Sequence, residues 1–207
     1  MKQNKTNKKF VYLISPKKIA DINFYNDLAL VLSSKKISFF QLRLKKETNS
    51  NKLIIGKKIK KICDEYKVKF LINDDPILAK KLNADGCHLG QKDMDLIKAR
   101  KILKNKIIGV TCHNSINLAK RAINDGADYL AFCAFYASKT KIVKYRTSLT
   151  VLKSIKKITS IPIVAIGGIK LSNYKKLLLN KANFLAISGY IWNNKKYKPL
   201  EAIKKLK

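Results

Sequence analysis

The feature that most constrains this chain is the regular return of short apolar runs. They are FVYLIS (10–15), ISFFQLRL (37–44), KFLIND (69–74), GCHLG (86–90), IIGVTCH (107–113), YLAFCAF (129–135), PIVAIGG (162–168) and FLAISGY (184–190). Most are continuous rather than alternating, as parallel strands covered on both faces require. Between them lie segments with helical spacing. NKLIIGKKIKKICDEY places Leu53, Ile54, Ile59, Ile62 and Cys63 near one face, and PILAKKL, INLAKRAI and NYKKLLL behave similarly. Eight strands alternating with helices in 207 residues predict an α/β fold, a (β/α)8 TIM barrel with eight parallel strands and outer helices. A doubly wound open sheet is the alternative.

A weak internal echo supports the barrel. Asn83-Ala84-Asp85-Gly86, Asp125-Gly126-Ala127-Asp128 and Asn180-Lys181-Ala182-Asn183 each follow a helix-like run and precede a strand. Gly or Asn ends a helix in the left-handed conformation, and the small Ala packs where the chain turns. Asp85 and Asp128 are therefore read as turn residues. No linker or low-complexity block interrupts the chain, so residues 1–207 are expected to form one domain.

No apolar run approaches the roughly 20 residues that a membrane helix needs. The basic start MKQNKTNKKF leads only into VYLIS before Ser15-Pro16, too short for a signal peptide, which predicts a cytoplasmic protein. Cys63, Cys87, Cys112 and Cys133 form no C-x-x-C pair, and most are read as small buried fillers. With 45 Lys and Arg against 13 Asp and Glu, the formal charge is +32, which would attract any polyanion. The lysines are scattered along the chain, Arg is scarce, and aromatic residues sit in strand-like runs rather than between charges. Solvated surface, with some attraction of anionic substrates, accounts for this better than a nucleic-acid face. No nucleic-acid or membrane partner is expected; a homo-oligomer is compatible with the sequence but not fixed by it.

In a parallel barrel, function gathers at the carboxyl ends of the strands. Those ends carry Gln41, Arg43 and Lys45; Asn73, Asp74 and Asp75; Gln91 and Asp93; Thr111, His113 and Asn114; Ser138, Thr140 and Lys141; Gly167 and Gly168; Ser188 and Gly189. Gln41, Arg43 and Lys45 share a period of two, which suits convergence on a diphosphate. Asp74 and Asp93 come from neighbouring strand ends and suit Mg2+, which takes one or two carboxylates and completes its octahedron with phosphate oxygens and water. Asp75 before Pro76 reads as a helix cap, and Asp93 is also a candidate cap for the helix starting near Leu96. Asp95 reads as surface. Gly167-Gly168 offers bare amides for a phosphate. His88, inside GCHLG, reads as a packed barrel residue, and His113 is the better acid/base candidate.

The segments QLRLK, LINDDPILAKKLNADGCHLGQKDM, IIGVTCHN, GADYLAFCAFYASKTK, IPIVAIGGI and FLAISGYIW occur in the order found in thiamine phosphate synthases. From about Val11 to Trp192 the chain resembles that family. The resemblance implies a Mg2+-using (β/α)8 transferase joining 4-amino-2-methyl-5-(diphosphomethyl)pyrimidine to a thiazole phosphate, with diphosphate leaving. It implies Gln41, Arg43, Lys45 and Asn73 for the pyrimidine diphosphate, and Asp74 and Asp93 for Mg2+. Thr111 and Lys141 are directed at the diphosphate. Arg43, Lys45, Thr111 and Lys141 are thus the groups expected to stabilise its departure. Ser138, Thr140, Gly168 and Ser188 fall on the thiazole-phosphate side.

The sequence departs from the family where Cys133-Ala134 replaces a usual Gly-Pro and Ala137-Ser138 a usual Pro-Thr. The rival reading is a related thiazole tautomerase, in which His113 would serve as acid/base without a diphosphate or metal site. Retention of Arg43, Lys45, Asn73, Asp74 and Asp93 together favours the synthase. A non-catalytic nucleic-acid-binding barrel rests on net charge alone.

Overall fold

Each apolar run becomes a strand. The computed structural model describes residues 9–19, 21–137 and 145–207. Its strands are β1 (Val11–Ile14), β2 (Ile37–Leu42), β3 (Lys69–Asn73), β4 (Gly86–Leu89), β5 (Ile107–His113), β6 (Tyr129–Cys133), β7 (Ile163–Ile166) and β8 (Phe184–Ile187). Its helices are α1 (Asn23–Ser33), α2 (Asn49–Glu65), α3 (Pro76–Lys81), α4 (Leu96–Leu103), α5 (Ile116–Asn124), α6 (Leu149–Lys156), α7 (Tyr174–Leu179), α8 (Gly189–Trp192) and α9 (Pro199–Lys205). All neighbouring strands pair in parallel, and β1 pairs with β8 with Val11 opposite Leu185, which closes the sheet into a barrel. That pairing excludes the open sheet. Among the described residues no helix is long and apolar enough to cross a membrane.

Two layers of apolar packing follow from the strand period of two. Phe40, Leu42, Phe70 and Ile72 face the helices, while Tyr12, Phe39, Leu71, Tyr129 and Val164 fill the barrel interior. In α2 the buried positions are Gly56, Ile59 and Cys63; Ile54, expected on that face, is instead 58% exposed. Cys63, Cys87 and Cys112 are buried fillers, and Cys133 is half-buried; all four are free thiols. Burial pushes the Cys112 thiol up to about 12.

The internal echo has a definite purpose. In each copy the residue after the alanine makes two bonds to the strand before it in the barrel. The Asp85 amide donates to Phe70 O (2.8 Å) and its carboxylate accepts from Phe70 N (2.9 Å). The same pair joins Asp128 to Ile108 (2.8 and 2.7 Å) and Asn183 to Ile163 (2.9 and 2.9 Å). The preceding Ala84, Ala127 and Ala182 each donate back to the helix just ended, at Ala79, Ala122 and Leu177. The turn residues thereby satisfy strand amides at the amino end of the barrel, which would otherwise be buried without partners.

Candidate active site

The opposite rim carries the polar residues, and the backbone there is held in uncommon shapes. Seven described residues other than glycine have positive φ. Lys35, Lys67, Asn83, Lys104 and Lys181 do so where helices end, as helix caps often do. Asp74 (φ 65°) and His113 (φ 53°) do so at the carboxyl ends of strands. Asp74 donates its amide to His88 O (2.8 Å), so β4 fixes its orientation.

Three of the expected residues meet here. Lys45 Nζ lies 2.7 Å from Asp74 Oδ2, and the Asp74 and Asp93 carboxyl groups are near enough to shift each other's ionisation. Burial alone would raise the pKa of Asp74, but the neighbouring Asp93 carboxyl and the Lys45 ammonium outweigh it and hold Asp74 below the usual carboxylate range. Asp93 is pushed up, first by burial and then by the hydrogen bond and charge of Asp74, with Gly90 N–H (2.7 Å) and Lys45 opposing. The two carboxyls therefore shift in opposite directions, and Asp93 gives up its proton after Asp74 as the pH rises. A cavity of about 220 Å³ adjoins it at the ends of β2 and β3, lined by Lys45, Asn73, Asp74 and Lys52 among others. Lys52 had no distinguishing signal among so many scattered lysines.

The neighbouring aspartates divide cleanly. Asp75 caps α3, accepting from Leu78 N at 2.9 Å. Asp95 is not plain surface. It caps α4, accepting from Ile97 N (3.0 Å) and Lys98 N (3.4 Å), and so takes the role considered for Asp93.

The other expected residues form separate groups. Gln41 is buried on β2, in alternation with the outward-facing Phe40 and Leu42. Arg43 follows the strand; its amide donates to Ser15 Oγ (2.9 Å), and Ser188 Oγ donates to Ser15 O (3.1 Å). Ser15, 3% exposed, thus ties the ends of β1, β2 and β8, a role that sequence reasoning missed. Thr111 bonds His88, whose Nε2 lies 2.8 Å from Thr111 Oγ1, while Gln91 Nε2 donates to Thr111 O. His113 stacks on Tyr145 with ring centroids 4.3 Å apart, and Cys133 Sγ lies 3.8 Å from its Nδ1.

Gly167 (φ 109°) and Gly168 (φ 60°) accommodate the segment after β6: Phe135 N donates to Ile166 O and Tyr136 N to Gly167 O. A Cβ on Gly168 would lie 2.2 Å from Ala137 O. Ser138, Thr140 and Lys141 lie outside the described residues.

Residues 11–191 match the family described as thiamine monophosphate synthase. The chain belongs to that family. The thiamine-phosphate synthase of Pelagibacter ubique (strain HTCC1062) is 92% identical over 207 residues, covering the whole of both chains. That of Nitrosomonas eutropha is 37% identical over 184 residues, covering 88% of this chain and 86% of its own. Among solved structures, a thiamine phosphate pyrophosphorylase from Pyrococcus furiosus superposes with a TM-score of 0.85 at 26% identity, covering 97% of this chain and 94% of the other. A 3-hexulose-6-phosphate synthase shares the fold alone, with a TM-score of 0.65 at 17% identity over 95% of this chain and 98% of the other. Membership of the thiamine monophosphate synthase family implies use of Mg2+. Among the described residues no group of three or more His, Cys, Asp or Glu is placed to hold a metal ion, so an all-protein cage is not what this rim offers.

Proposed function

We propose that this chain is a thiamine phosphate synthase, a transferase joining 4-amino-2-methyl-5-(diphosphomethyl)pyrimidine to a thiazole phosphate. The observation that carries the reading is the Asp74–Asp93 carboxyl pair with Lys45 against it. The pair suits Mg2+: it offers two hard oxygen ligands and leaves the other positions to phosphate and water. When bound, the ion would supply positive charge to the diphosphate oxygens as negative charge develops there.

The chain's own residues do the rest. Lys45, 54% exposed, presents its ammonium at the same rim, with Arg43, Asn73 and Gln41 assigned to the pyrimidine diphosphate. Thr111 donates its hydroxyl to the leaving group, and Lys141 adds a second ammonium. Ser138, Thr140, Gly168 and Ser188 are assigned to the thiazole phosphate. The bond between the pyrimidine methylene and diphosphate oxygen breaks, and its electron pair leaves on diphosphate. The thiazole nitrogen then forms the new carbon–nitrogen bond with its lone pair. No proton changes hands, so catalysis is electrostatic and needs no acid, base or protein nucleophile. The plug formed by Tyr12, Phe39, Leu71 and Tyr129 beneath the rim keeps water from the cationic pyrimidine from below.

We also read residues 1–207 as one domain that works in the cytoplasm on these two small molecules. The test is incubation with both substrates and Mg2+, with assay for thiamine phosphate. Diphosphate release without coupling, or no reaction, would end the synthase reading.

A further inference from the structure

A chain of four polar side chains crosses the barrel interior beneath the rim. Tyr12 Oη lies 2.8 Å from Tyr129 Oη, Tyr129 Oη 2.9 Å from His88 Nδ1, and His88 Nε2 2.8 Å from Thr111 Oγ1. Three of the four are nearly sealed from solvent, Tyr12 at 2%, Tyr129 at 3% and His88 at 7% exposure. The contact exists because of a glycine. His88, Gly109 and Tyr129 sit side by side on β4, β5 and β6, and a Cβ on Gly109 would fall 1.9 Å from the Tyr129 ring. The ring lies across the bare backbone of β5 to reach His88.

From the far end of this chain we infer that His88 is a positioning residue that aims the Thr111 hydroxyl proton at the substrate diphosphate. The inference rests on the synthase reading and on Thr111 facing that group. The direction of every proton follows from Tyr12. Its hydroxyl bonds only Tyr129 among the described residues. If Tyr129 donated to Tyr12, the Tyr12 proton would be buried without an acceptor, an uncompensated desolvation. Tyr12 therefore donates to Tyr129, Tyr129 donates to His88 Nδ1, and His88 is neutral with its proton on Nε2. That N–H donates to Thr111 Oγ1, so the Thr111 proton is committed outward. A proton on Nδ1 as well as Nε2 would reverse Tyr129 and strand the same Tyr12 proton. Burial raises both phenols far above their ordinary range, so each remains a donor.

The chain has two histidines, so the tautomer can be read directly from the full-length protein by long-range 1H–15N spectra, with His113→Gln assigning the signals. His88 should carry its proton on Nε2 alone near neutral pH; a proton on Nδ1, alone or with Nε2, overturns the inference. In the coupling assay Thr111→Val should lower kcat by about 100-fold, the size of losing one donor to a developing anion, with KM less affected. Thr111→Ser should return most of that loss. Tyr129→Phe made together with Tyr12→Phe, which removes the donor to His88 without stranding the Tyr12 proton, should lower kcat in Thr111 protein but add nothing to Thr111→Val. An additive combined variant, or full activity in Thr111→Val, refutes the role of Thr111 through His88 while leaving the synthase reading standing. Absence of coupling in the unaltered protein refutes that reading itself, whatever the tautomer.

Discussion

The two carboxylates of the rim should respond oppositely to neutralisation in metal-free protein, although both are assigned to the same ion. Asp93→Asn keeps an oxygen for the Gly90 amide and puts a neutral amide beside Asp74. It removes a group whose folded pKa is raised, and such a carboxylate costs stability once the pH exceeds its unfolded value of about 3.9. Two unit charges 4 Å apart repel by about 1 kcal/mol in water and about 4 kcal/mol at an effective dielectric of 20. Lys45 beside Asp74 and partial exposure place the relief near the lower end, on the order of 1 kcal/mol. In a chain of this length that is a rise in Tm of roughly 2–4 °C at pH 7.5, fading as the pH falls toward 4.

Asp74→Asn should do the reverse. Its folded pKa is lowered, so its charge stabilises above the unfolded value and that stability is lost as the pH falls through the folded one. Scanning fluorimetry with a chelator distinguishes the two variants. Adding Mg2+ with inorganic diphosphate then separates both from the parent. At a hundredfold excess over Kd the parent gains about 2.7 kcal/mol, and neither variant should follow it. Coupling should fall by orders of magnitude in both. If Asp93→Asn were less stable than the parent without metal, or gained equally from Mg2+ and diphosphate, the assignment of a strained metal pair would be wrong.

Three further substitutions test the frame around the site. Asp85→Ala strands the buried Phe70 amide, at about 2 kcal/mol or roughly 4–8 °C in Tm, whereas Asp85→Asn should cost far less because Asn183 already plays that part with an amide. The difference between the parent and Asp85→Asn should shrink as the pH falls through the folded pKa of Asp85. That pKa burial tends to raise, but the bonds from Lys69 and Phe70 hold it low. Gly168→Ala forces φ 60° on an L-residue and drives a Cβ into Ala137 O; a lower Tm and a KM raised more for the thiazole phosphate than for the pyrimidine diphosphate are expected in steady-state assays. His113→Ala should retain coupling. A loss of about 100- to 10,000-fold, together with isomerisation of a thiazole carboxylate phosphate by the parent, would favour the proton-transfer rival.

The barrel was legible because strands buried on both faces leave continuous apolar runs, and helices between them leave a different period. The Asp75 cap was legible because Asp-Pro is a local signal. Asp95 was not, since its capping role depends on the first helical residue being Leu96, and a two-residue ambiguity gave that role to Asp93 instead. Ile54 was assigned to the wrong face of α2 because apolar spacing on a long helix does not say where the neighbouring helices stop covering it. The link from Tyr129 to His88 spans three strands and depends on a missing side chain at Gly109, which no local pattern can announce. Asp74 and Asp93 could be set side by side only because the barrel order was read first; their proximity is tertiary.

The scarcity of acid in this chain sharpens what that contact means. A net charge of +32 lowers the cost of ionising any exposed carboxylate, so an aspartate held above its ordinary pKa runs against the field of the whole molecule. Asp85 and Asp128, elsewhere in the barrel, each sit against a cation and a strand amide. Among the described residues Lys45 is the cation placed against the Asp74 and Asp93 carboxyl groups, and it bonds just Asp74. Burial and the charge of Asp74 then outweigh the long-range field at Asp93. The proposed metal pair is therefore short of positive charge at Asp93, and a divalent ion arriving with an anionic substrate would correct that shortage.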